Sequence, residues 1–549
     1  MEQTFRNSLS ETVFNQKYKH DGCETWENLA YTLTRQVCSP YLPKDTVDAI
    51  YEIIRDMKFL PGGRYLYYAG RPVKFFNNCY LLRAEEDTRE DWADLSWKAE
   101  SCLLTGGGIG VDYSIYRDST KIIGRTGGKA SGPIPKMLMV NEIGRRIMQG
   151  GSRRSAIYAS LNWKHGDINK FLIVKNWKDQ KIPGTDKTLW DVKNTDFNFP
   201  APLDMTNISV NYDTDWLLKY YKTGELGEVF LNNVEQALST GEPGFSFNFF
   251  DKENETLRNA CTEVTSSDDS DVCNLGSVNL SRIDGIADFA RVVELGTMFL
   301  LCGTLVADLP YNKISEVRQK NRRLGLGLMG LHEWLLKRDT QYEVTPELHK
   351  WLSVYKGVSD DVSKKTADLL GVSRPVASRS IAPTGTIGMV AGTTTGIEPV
   401  YAVAYKRRYL TNGTKWKYQY GIDHIAQHLV DVYGVDPERI ETASDLANDY
   451  ERRIKFQADV QDYVDQSISS TINLPSVNEQ RVKPEEFAKT LAKYAHRLRG
   501  FTAYPDGARG GQPITKVEYV EAKERLGEEF EESVQYNDAC DLKSGICGS

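Results

Sequence analysis

The chain has 549 residues, of which 40% are hydrophobic and 26% are charged, and its formal net charge at pH 7 is -7. This composition is typical of a globular protein with a large buried core, and the length suits one large catalytic domain with appendages. The negative charge argues against a protein that wraps a nucleic acid polymer, because such binding needs a basic surface. Nucleotides as small ligands stay compatible with it.

The cellular location is predicted from the absence of targeting segments. The N-terminal residues lack the apolar stretch of a signal peptide, and no run of about 18 apolar residues occurs. We therefore expect a cytoplasmic protein that does not interact with a membrane. The nine cysteines are scattered, unlike a secreted disulfide framework. The sequence contains no CxxC pair and no Cys/His cluster with the spacing of zinc ligands, so we do not expect a structural metal site.

Residues 1 to about 60 are predicted to be helical, because AYTLTRQVCSPYL and KDTVDAIYEIIRDMKFL carry apolar residues at helical spacing. We interpret them as a small helical N-terminal region. Strand-like aromatic runs, broken by Pro and Gly, follow and end at Cys79 and Tyr80. Taken alone, a single cysteine in such a place is more often a buried apolar residue than a functional thiol.

Gly-rich segments come next. The triple glycine at 106–108 lacks the lysine of a P-loop and the spacing of a Rossmann turn, so it predicts a tight approach of two backbones. The loop 124–135 and the loop that starts at residue 149 are rich in Gly and basic residues, and one predicted helix separates them. Guanidinium groups bind phosphates in a bidentate manner, so the two loops suit an anionic ligand. Solvated loops are the alternative.

The most informative segment runs from 259 to 280. It holds Asn259, Cys261 and Glu263 at alternate positions and a second thiol, Cys273, twelve residues after Cys261. An extended chain would point the amide, the thiol and the carboxylate to one side, where they could act on one ligand. The pattern indicates a reaction centre. A strand edge with ordinary polar side chains is the alternative.

Two further features lie towards the C-terminus. A helix that started in the segment 383–386, Pro-Thr-Gly-Thr, would offer N–H groups and hydroxyls to an anion, and a simple Thr/Gly turn is the alternative. The last thirty or so residues are acidic and then small and polar, which indicates a mobile tail. Cys540 and Cys547 lie on this tail, which favours thiol–disulfide exchange over burial in a core.

A series of short motifs runs in order from about residue 60 to 515: NNCY, ASGPIPKM, QGGSRR, HGDI, NISV, NACTE, CNLGSVNL, NRRLGLGLMG, APTGTI, GIEP and DGARGGQPIT. Together they closely resemble the catalytic (large) subunit of ribonucleotide reductase. The resemblance implies an α/β fold, namely a ten-stranded α/β barrel of two five-stranded halves with a central finger loop. It also implies three regions: helical N-terminal residues 1–60, the barrel 61–515, and a flexible tail 516–549 with a redox cysteine pair.

The resemblance implies roles for three residues of NACTE. Cys261 takes the position of the thiyl radical that abstracts the 3′-hydrogen of the ribose, Glu263 that of the base for the 3′-hydroxyl proton, and Asn259 that of the orienting amide. A thiol suits the first role because S–H and C–H bonds are similar in strength, and the radical needs a dry pocket. Ala260 and Thr262 stand where several relatives have Pro and Gly, but the three reacting positions are intact.

Four further cysteines are implied to carry the reducing equivalents. Cys79 in NNCY and Cys273 in VCNLG match the pair that reduces the substrate and ends as a disulfide. Cys540 and Cys547 match the tail pair that re-reduces this disulfide. A thioredoxin- or glutaredoxin-like partner would then reset the tail pair.

Substrate and effector sites are implied in the same way. The substrate-binding residues, of which the last five form the phosphate site, are Asn78, Pro383, Thr384, Gly385, Thr386 and Ile387. The loops that bind nucleotide effectors (dNTP or ATP) and report them to the substrate base contain Arg125, Lys129, Gln149, Gly150, Gly151, Arg153 and Arg154.

The radical source is predicted from an aromatic residue near the C-terminus. Relatives driven by a separate metal subunit typically carry two adjacent tyrosines shortly before an Arg-Asp-Gly, whereas GFTAYPDGARGG holds Tyr504 alone. This resembles the adenosylcobalamin-dependent type, and PGGRYLYYAG and NNCY favour it too. The alternative is a catalytic subunit of a class I-like reductase that needs a separate radical-generating metal subunit. The glycyl-radical type is disfavoured because the C-terminal residues show no glycyl-radical signature and Glu263 is present. A nucleotide-binding homologue without catalysis is disfavoured because binding alone needs none of the thiols.

Assembly and regulation are also predicted. About sixty residues precede the core motifs, too few for an ATP-cone, so we expect no dATP shut-off through such a domain. We expect a homodimer with the effector bound across the interface. The choice between diphosphate and triphosphate substrates and the effector rules stay open, and the compact size would suit a phage or a streamlined genome.

Overall fold

The computed structural model describes residues 4–149, 153–196, 199–411, 415–476, 482–506, 508 and 514–531. The helices are α1 (Ser8–Lys17), α2 (Trp26–Cys38), α3 (Lys44–Arg55), α4 (Gly63–Tyr68), α5 (Arg89–Leu104), α6 (Pro133–Arg146), α7 (Ile168–Ile173), α8 (Leu189–Thr195), α9 (Thr214–Thr223), α10 (Glu228–Thr240), α11 (Ile286–Val306), α12 (Asn312–Asn321), α13 (Leu331–Leu336), α14 (Pro346–Leu369), α15 (Gly385–Ala391), α16 (His424–Tyr433), α17 (Ala443–Leu446), α18 (Tyr450–Gln461), α19 (Pro484–Tyr494) and α20 (Tyr519–Glu524).

The strands are β1 (Phe59–Pro61), β2 (Cys79–Leu82), β3 (Gly108–Asp112), β4 (Met148–Gln149), β5 (Arg153–Arg154), β6 (Ile157–Asn162), β7 (Thr206–Tyr212), β8 (Gly244–Phe247), β9 (Leu257–Arg258), β10 (Thr265–Ser266), β11 (Asp271–Asn279), β12 (Leu324–Met329), β13 (Ala404–Thr411), β14 (Lys415–Ile422), β15 (Thr471–Leu474), β16 (Gly500–Pro505), β17 (Ile514–Lys516) and β18 (Glu529–Glu531). The main sheet contains ten of them.

The main sheet consists of two halves, and the strands within each half pair in parallel. In the first half, β2, β3, β6, β7 and β8 lie side by side and parallel. In the second half, β11 pairs in parallel with β12, and β15 with β16. Two parallel bridges, Leu326 to Arg379 and Ile381 to Ile468, connect β12 through residues 379–381 to the segment that leads into β15.

The two halves meet through antiparallel pairs. β11 pairs with β2 at one junction, and β16 pairs with β8 at the other. The pairing therefore returns to its starting strand after five members of each half, with segments 379–381 and 466–474 as members of the second. The predicted α/β fold, with two five-stranded halves, is confirmed.

The burial of the strands explains why the ring forms. β3, β11 and β12 are buried along their whole length, as parallel strands are when both faces of the sheet are covered. One hydrophobic core joins the first half to α5, α6, α10 and α19, and a second joins the other half to α2, α11 and α14. The two cores do not coincide with the two halves, because Ile472 and Leu474 of β15 and Phe501 and Ala503 of β16 belong to the first core.

The most apolar helix is α11. Among the described residues it is the one helix long and apolar enough to cross a membrane, by length and composition alone, and two thirds of its apolar window is buried in the protein. Leu295, Phe299 and Leu300 are no more than 1% exposed, and Phe299 packs edge-on against Phe59 with ring centroids 5.7 Å apart. These contacts are those of a core helix. Cys302 is fully buried in it.

The N-terminal residues are helical, as their apolar spacing predicts. α1, α2 and α3 lie within residues 1–60 and contribute to the second core. Phe14 of α1 packs edge-on against Trp26 of α2, with ring centroids 6.1 Å apart, and the Trp26 indole donates a hydrogen bond to the Arg55 carbonyl at 2.9 Å. The boundary between this region and the barrel stays a prediction.

A small antiparallel sheet lies outside the ring, in the order β17, β13, β14, β18. It differs from the expected flexible tail from residue 516, because residues 516–531 include α20 and β18. The reason is that the β13–β14 hairpin offers two edges with unpaired backbone groups, which β17 and β18 occupy. Cys540 and Cys547 lie outside the described residues.

Candidate active site

A loop from residue 248 to 270 connects the two halves and carries the candidate site; we call it the finger loop. A Cβ atom at Gly110 would lie 1.7 Å from the carbonyl oxygen of Arg258, and one at Gly108 would lie 3.2 Å from Cβ of Ala260. The finger loop therefore lies directly on the backbone of β3. The tight approach predicted for the Gly-rich segment is confirmed at Gly108, and it extends to Gly110.

The finger loop lies on the inner face of the ring. Ile109 and Val111 of β3 belong to the core that contains α5 and α6, so their face of the strand is the outer one. Gly108 and Gly110 alternate with them and face the opposite way, towards the finger loop. The predicted central finger loop is therefore present.

The tip of the finger loop is a turn. Asn259 and Thr262 are joined by a backbone hydrogen bond of 3.0 Å, and Thr262 has a positive φ of 70°. The expectation that Asn259, Cys261 and Glu263 share one side of an extended segment is therefore wrong. The turn forms because it closes the short β9–β10 pair, in which Arg258 lies opposite Thr265.

Cys79 and Cys273 are direct neighbours across two strands. Cys79 begins β2, Cys273 lies in β11, and the two residues are partners in the antiparallel register. Partners in such a ladder have Cα atoms roughly 4.5–5.5 Å apart, a separation that a disulfide can span. Both are buried and present as thiols, and burial raises the pKa of the Cys273 thiol well above its usual range.

Asn259 connects the finger loop to this cysteine pair. Its Nδ2 lies 3.3 Å from the Sγ of Cys79, and its Oδ1 accepts a hydrogen bond from the backbone N–H of Val264 at 3.0 Å. The side chain is completely buried. The amide is therefore fixed at both ends, with one end on the turn and the other on a thiol of the pair.

Glu263 is a buried carboxyl group with unsatisfied hydrogen-bonding capacity. The residue is 1% exposed, and its Oε2 has no hydrogen-bond partner among the described residues. Burial raises the pKa of Glu263 to about 7, although a hydrogen bond with the Asn259 side chain opposes the shift. A carboxyl group with a pKa near neutrality can take up or release a proton at the pH of a cell.

Cys261 differs from its neighbours in accessibility. It is half-buried, whereas Asn259, Glu263 and Cys273 are at most 1% exposed. Cys261 is therefore more exposed to solvent than the buried groups around it.

The predicted phosphate segment forms the start of α15. Thr384 is the residue before the helix, with φ 49°, and its Oγ1 accepts a hydrogen bond from the N–H of Gly396 at 2.8 Å. The first hydrogen bond of the helix runs from Gly388 N–H to the Thr384 carbonyl at 2.7 Å. Gly385 is exposed, Pro383 and Thr386 are half-buried, and Ile387 is buried. The segment follows residues 379–381 of the ring, as a ligand-binding turn after a barrel strand does.

Asn78 precedes the first cysteine and is half-buried. Its Oδ1 accepts a hydrogen bond from the N–H of Arg64 at 3.3 Å, and a Cβ atom at Gly62 would lie 2.5 Å from its Nδ2. Asn78 therefore lies where the chain enters β2, next to Cys79.

The predicted effector residues lie in two separate hairpins. Arg125 and Lys129 are exposed on the loop closed by the bridge between Ile122 and Lys129. Gln149 pairs with Arg153 and Met148 with Arg154 in the β4–β5 ladder. Gly150 and Gly151 lie outside the described residues. α6 separates the two hairpins, as predicted.

Two supporting residues escaped the sequence analysis. Asn77 donates from Nδ2 to Oδ1 of Asn274 at 2.7 Å, which fixes β2 against β11 beside the cysteine pair. Arg258 is completely enclosed and donates from Nη2 to Oδ1 of Asn248 at 2.6 Å, which holds the base of the finger loop. The doubled asparagine of NNCY was the one available signal for Asn77. No sequence signal pointed to Arg258, because the sequence alone does not distinguish a buried arginine from an exposed one.

The ring of two antiparallel five-stranded halves, with a thiol-bearing loop through its centre and a dithiol on its wall, defines a thiol-dependent barrel enzyme. The family model of the ribonucleotide reductase barrel domain matches residues 77–350 and 374–504. This chain therefore belongs to the ribonucleotide reductase family.

Several relatives have names that specify a cofactor. A vitamin B12-dependent ribonucleoside-diphosphate reductase of Mycobacterium tuberculosis (strain CDC 1551 / Oshkosh) is 27% identical over 85% of this chain and 72% of its own length. A protein of the same description from Thermoplasma acidophilum is 27% identical over 85% of this chain and 66% of its own length. A putative adenosylcobalamin-dependent ribonucleoside-triphosphate reductase of Mycobacterium phage D29 is 24% identical over 83% of this chain and 75% of its own length.

A solved structure supports the fold. The class Id ribonucleotide reductase alpha subunit of Actinobacillus ureae superposes with a TM-score of 0.71, covering 92% of this chain and 98% of that one, at 16% identity. At this identity the likeness shows the fold alone.

Proposed function

We propose that this chain reduces ribonucleoside di- or triphosphates to 2′-deoxyribonucleotides by a thiyl-radical mechanism with dithiol oxidation, dependent on adenosylcobalamin. One observation carries the proposal: the finger loop brings Asn259 within 3.3 Å of Cys79, whose cross-strand partner is Cys273. A nucleotide-binding protein without catalysis would need neither the buried dithiol nor the accessible third thiol.

The reaction assigns a separate task to each group. The Cys261 sulfur takes the 3′-hydrogen atom of the ribose, so an S–H bond forms as the C–H bond breaks. Glu263 accepts the 3′-hydroxyl proton, and the buried carboxyl with a pKa of about 7 suits this task. Asn259 orients the substrate beside Cys79.

The cysteine pair completes the balance. The 2′-hydroxyl leaves as water with one proton from the dithiol. The other proton and the two electrons of Cys79 and Cys273 reduce C2′ of the ribose, and the two sulfurs end as a disulfide. Finally the 3′-hydrogen atom returns from Cys261 to the ribose, and Glu263 returns its proton to the 3′-oxygen. The cross-strand register of Cys79 and Cys273 allows the disulfide to form with little backbone movement.

Adenosylcobalamin requires access to the thiol that becomes the radical. Cys261 fits this requirement, because it alone of the reacting residues in the finger loop is half-exposed. When bound, adenosylcobalamin supplies the one-electron chemistry by which the Cys261 thiol loses its hydrogen atom. The cofactor named for the relatives from M. tuberculosis and T. acidophilum supports the same assignment.

The substrate phosphates are assigned to the segment 383–387 and to the neighbourhood of Asn78. The N–H groups at the start of α15 have no partners within the helix, so they can bind an anion. Nucleotide effectors are assigned to the two hairpins that carry Arg125 with Lys129 and Gln149 with Arg153. Exposed basic side chains at Arg125 and Lys129 support an anionic ligand there.

The chain is further proposed to act as a homodimer in the cytoplasm, with a thioredoxin- or glutaredoxin-like protein as reductant. Leu104 of α5 and Leu138 and Met139 of α6 are 64%, 38% and 50% exposed, and α5 packs against α6. Exposed apolar side chains on two helices that pack together suit contact with a second copy. Cys540 and Cys547 are proposed to pass electrons from the reductant to Cys79 and Cys273.

The decisive experiment is turnover by the purified chain. With adenosylcobalamin, a dithiol and a ribonucleotide, we expect deoxyribonucleotide to form without a second protein. A Cys261→Ser variant should be inactive, and full activity in it would refute the mechanism. Activity that appears only with a separate metal-containing subunit would refute the cobalamin assignment and establish the class I-like alternative.

A further inference from the structure

A set of contacts outside the catalytic groups ties the N-terminal helix α1 to α15. Ser10 Oγ donates a hydrogen bond to the carbonyl oxygen of Met389 at 2.7 Å, and Arg6 Nη1 donates to that of Gly392 at 3.2 Å. Both carbonyls lie at the C-terminal end of α15, where a helix needs partners from outside. Ser10 of α1 and Arg6, which precedes α1, therefore complete the end of α15 that is opposite to the proposed phosphate turn.

Arg6 is itself held in place by a buried carboxylate. Its Nη1 lies 2.6 Å from Oε1 of Glu333, whose side chain is completely buried. Thr393 donates to the other oxygen of Glu333 at 2.6 Å, and Lys337 lies 3.2 Å away. Burial raises the pKa of Glu333, but the charges of Arg6 and Lys337 outweigh it and hold the pKa below its ordinary value. The carboxylate is thus ionised, and Arg6 has one defined position.

The packing at this end of α15 leaves little room for adjustment. A Cβ atom at Gly392 would lie 3.1 Å from Cβ of Arg6 and 3.3 Å from Oγ of Ser10. At the other end, the N–H of Gly396 binds Thr384 Oγ1 at 2.8 Å. A positive charge at the C-terminal end of a helix is also favourable for the helix dipole. The orientation of α15 is therefore fixed from both of its ends.

We propose that Arg6 and Ser10 are positioning residues for the substrate phosphates. By holding the C-terminal end of α15 they keep the turn 383–387 in the orientation that binds the phosphates of a ribonucleotide. They do not touch the substrate. The inference rests on the proposed function of that turn, and it gives the N-terminal helical region a part in substrate affinity.

The test is an Arg6→Ala/Ser10→Ala double variant of the full chain. KM for the ribonucleotide should rise about tenfold, which corresponds to roughly 1.4 kcal/mol, while kcat stays within about twofold. The Kd of the same nucleotide, measured by equilibrium dialysis without turnover, should rise by the same factor. An Arg6→Lys variant keeps the cation and should recover most of the affinity.

Two control variants separate positioning from a general loss of stability. Asn7→Ala removes the side chain that caps α1 through the N–H of Ser10 at 2.8 Å, without touching α15. Lys17→Ala removes a cation from the last turn of the same helix. Both should keep the KM of the unmodified chain, and a tenfold rise in either would overturn the inference.

The remaining outcomes are distinguishable. If the unmodified chain binds the nucleotide and the double variant binds it equally well, the positioning role is refuted and the proposed function stands. If the unmodified chain neither binds nor reduces ribonucleotides, the proposed function is refuted, and this inference with it.

Discussion

Glu263 links the chemistry of the site to the stability of the protein. Its pKa in the folded chain is about 7, against an ordinary value of 4.5, because the carboxyl is buried. The folded protein therefore binds this proton more tightly than the unfolded chain. The stability it contributes is fully present below pH 4.5 and is lost as the pH rises through 7, a change of about 3 kcal/mol.

A Glu263→Gln variant should therefore unfold at a higher temperature than the unmodified chain at pH 8, and the difference should shrink towards pH 5. The amide keeps the shape of the carboxyl but cannot ionise. Turnover should fall by at least about 100-fold, because the proposed base for the 3′-hydroxyl proton is lost. Thermal unfolding at several pH values measures the first effect and product formation the second.

The control for this variant is Glu343→Gln on the exposed surface. It should leave both turnover and the pH profile of unfolding unchanged. A pH-independent difference in unfolding temperature between Glu263→Gln and the unmodified chain would contradict the burial argument.

Thr262 occupies a conformation that favours glycine. Its φ of 70° is in the left-handed region, where a side chain with a Cβ costs about 1–2 kcal/mol. Thr262→Gly removes that strain but gives the unfolded chain more freedom, worth roughly 0.5–1 kcal/mol. We expect a net gain of about 0.5–1 kcal/mol in the free energy of unfolding, measured by denaturant titration.

Thr262→Ala is the matched control, because alanine keeps the Cβ at the same φ. It should gain less than the glycine variant does. Equal stability of the two variants would show that the backbone of the finger-loop tip is not strained.

At the scale of elements, the position of the finger loop against β3 requires glycine at residue 110, because glycine has no Cβ atom. A Cβ atom there would lie 1.7 Å from the Arg258 carbonyl oxygen and 3.1 Å from Cα of Asn259, both backbone atoms that cannot turn away. Gly110→Ala should therefore displace the finger loop and reduce turnover about 100-fold, because a shift of about 1 Å at a reacting group has that effect.

Gly357→Ala in α14 serves as the comparison. A Cβ atom at Gly357 would meet nothing within 4 Å, so the helix should gain stability by up to about 1 kcal/mol with no loss of turnover. Full activity of Gly110→Ala would show that the finger loop is not held against β3.

The same elements show how far sequence reasoning reached. The motifs around NACTE and NNCY led to the ten-stranded ring and to its thiols through the family resemblance. The turn at Asn259–Thr262 could not be predicted, because the segment contains no glycine or proline to signal it. Nor could spacing place Cys79 opposite Cys273, since register between strands nearly two hundred residues apart depends on the whole fold. The small sheet around β13 and β14 was missed, and one of its edge strands, β18, comes from residues expected to be a tail.

At the scale of the whole molecule, the proposed dimer can be tested on its apolar surface. A Leu104→Asp/Met139→Asp double variant should be monomeric in the presence of substrate and effector, because two charges would have to be buried in the interface. Light scattering measures the mass of the particle. Leu369→Asp, at a leucine that is 76% exposed on α14, should stay dimeric. A dimer that survives the double substitution would place the interface elsewhere.

The register between Cys79 and Cys273 has a mechanical consequence. The chain between these two residues contains all the remaining strands of the first half of the ring, β3, β6, β7 and β8, together with the finger loop. Oxidation during turnover would close this segment into a covalent loop of nearly two hundred residues. In the chain-entropy model such a closure stabilises a fold by about 5 kcal/mol. The oxidised enzyme should therefore unfold at a higher temperature than the reduced enzyme. Calorimetry would detect this difference, and a Cys79→Ser variant should not show it. Each catalytic cycle would then cross-link the first half of the ring through a disulfide and remove the cross-link when the disulfide is reduced.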